Sequence, residues 1–173
     1  MRNRVGTFEH VSLKQFMEDM KSCSHIGYLD NEIEEAYKNI KLPQRATTGS
    51  AGYDFFTPVD INIGTGETIQ IPTGIRVKID DGWWLGCFPK SGLGFKYRLQ
   101  LDNTCGVIDS DFYFSENEGD IQVKMTMDAK TAKRLHLKAG DKFMQGIFIP
   151  YGITYDDNAN GVRNGGLGSS GSR

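Results

Sequence analysis

Thr68-Ile69-Gln70-Ile71-Pro72-Thr73-Gly74-Ile75-Arg76-Val77-Lys78-Ile79-Asp80-Asp81-Gly82-Trp83-Trp84-Leu85-Gly86-Cys87-Phe88 contains short apolar or alternating runs, separated by Gly, Pro and Asp. Runs this short, rich in Ile, Val and Trp and closed by turn residues, are strands rather than helices. The same texture continues downstream in Ile121-Gln122-Val123-Lys124-Met125 and Gly146-Ile147-Phe148-Ile149. Residues 41–155 therefore read as an all-β sandwich, jelly roll or distorted barrel. One helical interruption is expected at residues 129–137.

Residues 1–40 have a different period. Ser12 is placed to cap a helix whose apolar residues Leu13, Phe16, Met17 and Met20 recur at helical spacing. Asn31 is the expected cap of a second helix carrying Ile33, Ala36, Tyr37 and Ile40 on one face, with a turn near Gly27 and Asp30 between them. This partly helical extension is expected to cover a sheet edge or brace an oligomer. Residues 156–173 read by composition as a flexible Gly/Ser tail.

Composition excludes several classes of function. The 173 residues carry 20 basic and 22 acidic side chains, a formal charge of −2, so no basic excess draws the chain to nucleic acid. Three cysteines (Cys23, Cys87, Cys105) without Cys-x-x-Cys spacing support neither a disulfide framework nor a zinc site. No apolar h-region follows the basic N-terminus, and no apolar run reaches the length of a membrane span. A soluble cytoplasmic protein is expected. Gly is enriched, 21 of 173, which points to tight turns or close backbone approach to a ligand.

Two local patterns are candidates for chemistry. Pro89-Lys90-Ser91-Gly92-Leu93-Gly94 follows an apolar strand and offers a hydroxyl, an ammonium and backbone N–H groups to an anion, without P-loop spacing; a plain glycine-rich turn is the alternative. Gly106-Val107-Ile108-Asp109-Ser110-Asp111 puts Asp109 at the end of a short apolar strand, either as a general base holding a water or as a turn-capping aspartate. The acidic stretch 99–120 reads as a solvated loop or as oxygen ligands for a hard cation. Neither His10, His25 nor His136 lies in these segments.

Taken in order, Ala51-Gly52-Tyr53-Asp54, the 89–94 segment, Asn103 through Asp111, Gln145-Gly146-Ile147-Phe148 and Arg163-Asn164-Gly165-Gly166-Leu167-Gly168-Ser169-Ser170-Gly171 resemble the five motifs of the trimeric all-β dUTPases. The resemblance spans residues 41–171. It implies a jelly-roll homotrimer that splits dUTP into dUMP and pyrophosphate with Mg²⁺, with no nucleic-acid or membrane partner. It further implies that Asp54 holds the magnesium through water, and that Lys90, Ser91 and Gly92 form the phosphate-binding turn. Asn103 and the main chain of Val107, Ile108 and Gln122 would pair with uracil, and Asp109 would orient the attacking water. Phe112 would pack under the deoxyribose and Gln145 would contact phosphate. Arg163, with Leu167, Gly168, Ser169 and Ser170, would belong to a C-terminal arm closing over the nucleotide.

The chain departs from the family pattern at several of these positions. Lys90 stands for the usual Arg, Phe112 for Tyr and Leu167 for Phe, and Met144 precedes Gln145 where Ala is common. Phe112 to Gly119 is longer than the usual turn, so Ser115-Glu116-Asn117-Glu118 is expected to form an extended hairpin tip. A dCTP deaminase, which shares the fold, needs a further carboxylate on the strand Ile121–Met127, which has none. A regulatory protein of the same fold, of phage type, is the other alternative.

Overall fold

The computed structural model describes residues 3–23, 27–128, 133–163 and 165. In chain order its elements are β1 (Gly6–His10), α1 (Leu13–Cys23), α2 (Asp30–Lys38), β2 (Gln44–Arg45), β3 (Tyr53–Phe56), β4 (Ile61–Gly64), β5 (Thr68–Pro72), β6 (Ile75–Ile79), β7 (Trp83–Pro89), α3 (Ser91–Tyr97), β8 (Leu99–Leu101), β9 (Gly106–Ile108), a 3₁₀ turn (Ser110–Phe114), β10 (Gln122–Met127), β11 (Arg134–Leu137) and β12 (Lys142–Pro150). The expectation of a jelly-roll-like, mainly β fold holds. Among the described residues the strands do not close into a barrel; they form four antiparallel sheets, ordered β1-β6, β5-β10-β8, β11-β4 and β2-β3-β12-β7-β9.

Alternation decides which face each strand buries. Along β6, Ile75, Val77 and Ile79 point inward while Arg76 and Lys78 face out. Along β10, Val123, Met125 and Met127 point inward. Phe55, Ile71, Leu85, Met125, Met127 and Phe143 fill the middle of one continuous core. Between β5 and β6, Gly74 turns with φ +68°, and a Cβ there would run into Ile40 and Phe16, so the turn admits only glycine.

The N-terminal extension packs into that core. β1, within the partly helical extension expected over residues 1–40, pairs with β6 from Gly6↔Ile79 to His10↔Ile75 and covers its edge. Ser12 caps α1 as expected, its Oγ accepting from Gln15 N at 3.1 Å. Phe16 and Met20 are buried. α2 starts at Asp30 rather than after an Asn31 cap: Leu29 is the N-cap, the Glu32 carboxylate accepts its N–H at 2.8 Å, and the helix so begins two residues earlier.

Two other expectations are corrected. Residues 134–137, expected to be helical, are strand β11 against β4, because Leu135 is buried in register with Ile63; residues 129–132 of that expectation lie outside the described ones. Nor is 112–119 a hairpin tip. β9 pairs with β7, whereas β10 pairs with β5 and β8, so the link crosses between sheets and opens with the 3₁₀ turn. Its Glu118 reaches back to α1, where Oε2 accepts from Ser12 N and Oε1 from Ser12 Oγ, both at 2.7 Å. These bonds hold the Glu118 carboxyl below its ordinary pKa. Among the described residues no helix is long and apolar enough to cross a membrane.

Candidate active site

Four of the expected nucleobase residues meet. Asn103, Val107, Ile108 and Gln122 line one cleft of about 410 Å³ between β9 and β10, together with Gln70 and Met144. Two of the cleft's elements come from different sheets, which is why no local pattern in the sequence brings them together.

The phosphate-side residues gather at one end of the five-stranded sheet. Asp54 on β3 lies opposite Gln145 on β12, which lies opposite Phe88 on β7. Gln145 Nε2 donates to Pro89 O at 3.4 Å. The 89–94 segment, read as a loop, continues instead into α3, with Lys90 as its N-cap and the exposed Ser91 and Gly92 in its first turn. The Lys90 ammonium hydrogen-bonds one oxygen of the buried Asp54 carboxylate, and Lys142 Nζ lies 2.8 Å from the other. Burial opposes ionisation of Asp54, but the hydrogen bonds and charges of Lys142 and Lys90 outweigh it and hold its pKa below the ordinary value.

Lys142 is a residue that the sequence reading missed. Three residues apart on a regular strand, Lys142 and Gln145 would face opposite ways. A β-bulge between Lys142 and Met144 absorbs one residue, so Lys142, Gln145 and Asp54 share a face. The arrangement does not fit Asp54 as a magnesium holder: two ammonium groups already neutralise the carboxylate and would repel a divalent cation. Nor, among the described residues, do three or more His, Cys, Asp or Glu side chains converge as a metal cluster.

Asp109 occupies the N-cap position of the 3₁₀ turn at the end of β9, without a capping bond from its side chain. Its Oδ2 accepts from Arg163 Nη2 at 2.8 Å, and Arg163 Nε donates to Asp111 Oδ1 at 3.0 Å. The guanidinium lies 5.7 Å over the buried Phe112 ring, so the ring expected under the sugar is covered by the arm's arginine. Leu167, Gly168, Ser169 and Ser170 lie outside the described residues.

The two halves of the site do not meet within one chain. Ile108 pairs with Leu85 and Gly106 with Cys87, so Asp109 leaves the sheet level with Trp84. Lys90 and Ser91 leave it at the other end of β7. The six residue steps from Trp84 to Lys90 span about 20 Å at strand rise.

A family model described as dUTPase matches residues 38–171. The deoxyuridine 5'-triphosphate nucleotidohydrolase of Lactococcus lactis subsp. lactis is 34% identical over 145 residues, 81% of this chain and 95% of that protein. Its Haemophilus ducreyi counterpart is 36% identical over 151 residues, 83% of this chain and 93% of that protein. Among solved structures, a dUTPase from Streptococcus mutans superposes with a TM-score of 0.62 at 30% identity, covering 85% of this chain and 97% of its own. A dUTPase from phage phi11 of S. aureus, described for its coordination of a structural Mg(II) ion, shares the fold with a TM-score of 0.56 at 19% identity, over 72% of this chain and 92% of its own. With a family model spanning most of its length and relatives similar over nearly their whole chains, the protein belongs to the dUTPase family.

Proposed function

We propose that the protein is a dUTP diphosphatase, hydrolysing dUTP to dUMP and pyrophosphate at sites assembled between the copies of a homotrimer. The observation that carries this reading is the convergence of Asn103, Val107, Ile108 and Gln122 on one cleft, with Asp109 one residue beyond Ile108. A cleft edged by amide side chains and main-chain groups suits the hydrogen-bonding edge of uracil.

In this reading the Asp109 carboxylate takes a proton from a water as the water oxygen bonds to the α-phosphorus. The bond from that phosphorus to the α–β bridging oxygen breaks, and pyrophosphate leaves with the electron pair. Ser91, Lys90 and Gln145 hold phosphate oxygens, and Arg163 leaves Asp109 for the incoming triphosphate. The separation of about 20 Å along β7 between Asp109 and the phosphate turn is what favours a site shared between copies, because one α-phosphate cannot touch both ends of a single chain. Exposed Tyr151, Ile153 and Tyr155 beyond β12 supply apolar surface for such contacts.

Magnesium is the cofactor that family membership implies. The lysine pair at Asp54 offers it no seat there, so no step in this reading passes through the metal. Cytoplasmic residence accompanies a nucleotide-pool enzyme and belongs to the same proposal.

Pyrophosphate release from dUTP, dTTP, dCTP and UTP, assayed in parallel with Mg²⁺ and with EDTA, tests the reading. Release from dUTP at least about a hundredfold faster than from the other three is expected. Equal rates on all four, or ammonia release from dCTP, would overturn it.

A further inference from the structure

We infer that helix α1 is a positioning element of the nucleobase cleft, acting through Cys23 on Gln122 and Gln70; this rests on the cleft being the nucleotide site proposed above. Cys23 is the last residue of α1, outside the segment 38–171 that the family model matches. Its Sγ accepts from Gln70 Nε2 at 3.2 Å and donates to Gln122 Oε1 at 3.3 Å, and Gln70 Nε2 donates to Gln122 Oε1 at 3.1 Å. The three side chains close a triangle. Gln70 sits on β5, Gln122 on β10, and both line the cleft.

The helix that brings the thiol there is itself firmly held. Phe16 and Met20 bury its inner face, Glu118 binds its first turn through Ser12, and the buried Asp19 carboxyl faces the buried Asp120 carboxyl, two residues before Gln122. The start of β10 is therefore braced from α1 at two points. Burial raises the Cys23 pKa, so the group is a neutral S–H able to donate to one glutamine while accepting from the other. A free glutamine side chain turns about three bonds, and fixing it in advance lowers the entropy cost of ordering the cleft wall around a base. Cys23 touches neither substrate nor the reacting atoms; it fixes two side chains of the cleft wall.

Steady-state kinetics on dUTP with Cys23→Ala, Cys23→Ser and Gln70→Met test this. Cys23→Ala removes both donor and acceptor and is expected to raise KM about fivefold with kcat within about twofold of wild type. Cys23→Ser, which keeps both functions on a slightly shorter arm, should return KM to within about twofold, and Gln70→Met should reproduce the alanine effect with an unrelated side chain. Melting temperatures of all three close to wild type would show that the fold is intact. An unchanged KM in Cys23→Ala, or a loss confined to kcat, would overturn the inference while leaving the proposed activity standing. A wild-type protein that releases no pyrophosphate from dUTP would instead remove the activity on which it rests.

Discussion

One Arg163 guanidinium bridges two carboxylates, Asp109 and Asp111, with a single hydrogen bond to each, over the Phe112 ring. The carboxylate that the proposed mechanism needs as a base is thus paired with a cation that the triphosphate would attract more strongly. Asp109→Asn keeps the size of the side chain and removes its ability to take a proton. Turnover should fall by about 10²–10⁴-fold, the range that general-base groups supply, while affinity for a non-hydrolysable dUTP analogue stays within about tenfold. Pyrophosphate release and calorimetry measure the two quantities separately, and near-normal turnover would exclude Asp109 as the base. Lys90 and Lys142 present the opposite case. Both ammonium groups neutralise Asp54, which would leave them poised to exchange a carboxylate for phosphate oxygens at the same end of the sheet.

At the scale of elements, α1 is fastened by a buried acid pair whose pH behaviour has a definite sign. Burial, and then the hydrogen bond and charge of Asp19, push the Asp120 carboxyl well above its ordinary value, while Gly74 N donates to its Oδ1 at 2.8 Å. A carboxyl raised in the folded state binds its proton more tightly folded than unfolded. Its contribution to stability is full below the unfolded value near 3.8 and is lost as pH rises through the folded value. Asp120→Asn cannot ionise, and its amide can still donate to Asp19. Melting temperatures of the wild type should therefore fall, relative to Asp120→Asn, as pH is raised from about 4 to 8, whereas parallel curves would show that the pair carries no linked proton. The C-terminal arm is the element with the least packing. Among the described residues beyond Asn160, Val162 is exposed, and Arg163 reaches the body of the protein only through Asp109, Asp111 and the Phe112 ring. Truncation after Asn160 should shift the melting temperature by no more than about 2 °C and lower turnover about a hundredfold. Full turnover in the truncated protein would reduce the arm to a plain tail.

For the whole molecule, the decisive dimension is the length of β7. Asp109, at the end of β9, lies level with one end of it and the Lys90–Ser91 turn leaves the other, so in the proposed reading a site using both draws them from different copies. Mixing Asp109→Asn chains with Ser91→Ala chains, each inactive alone, should then restore up to roughly a quarter of wild-type activity by random assortment into trimers. Refolded mixtures that stay inactive while sedimenting as trimers, or an active wild-type monomer, would overturn the shared site.

The sequence by itself determined the strand-rich character of 41–155, because alternation at β6 and β10 and turn residues between short runs are local properties of the chain. It also determined the order of the family motifs and the Ser12 cap, each carried by residues only a few positions apart. The tertiary structure decided what depends on pairing between distant segments. A bulge in β12 turned Lys142 onto the face of Asp54, and assignment of β9 and β10 to different sheets replaced a hairpin with a crossing link. The pairing of β1 with β6 made the extension part of the core, and a helix from outside the motifs placed Asp19 and Cys23 against Asp120, Gln70 and Gln122. Periodicity tells which face a residue occupies within its own element. Register, bulges and long-range docking decide which other face it meets, and those are set by the free energy of closing the whole core rather than by any one segment.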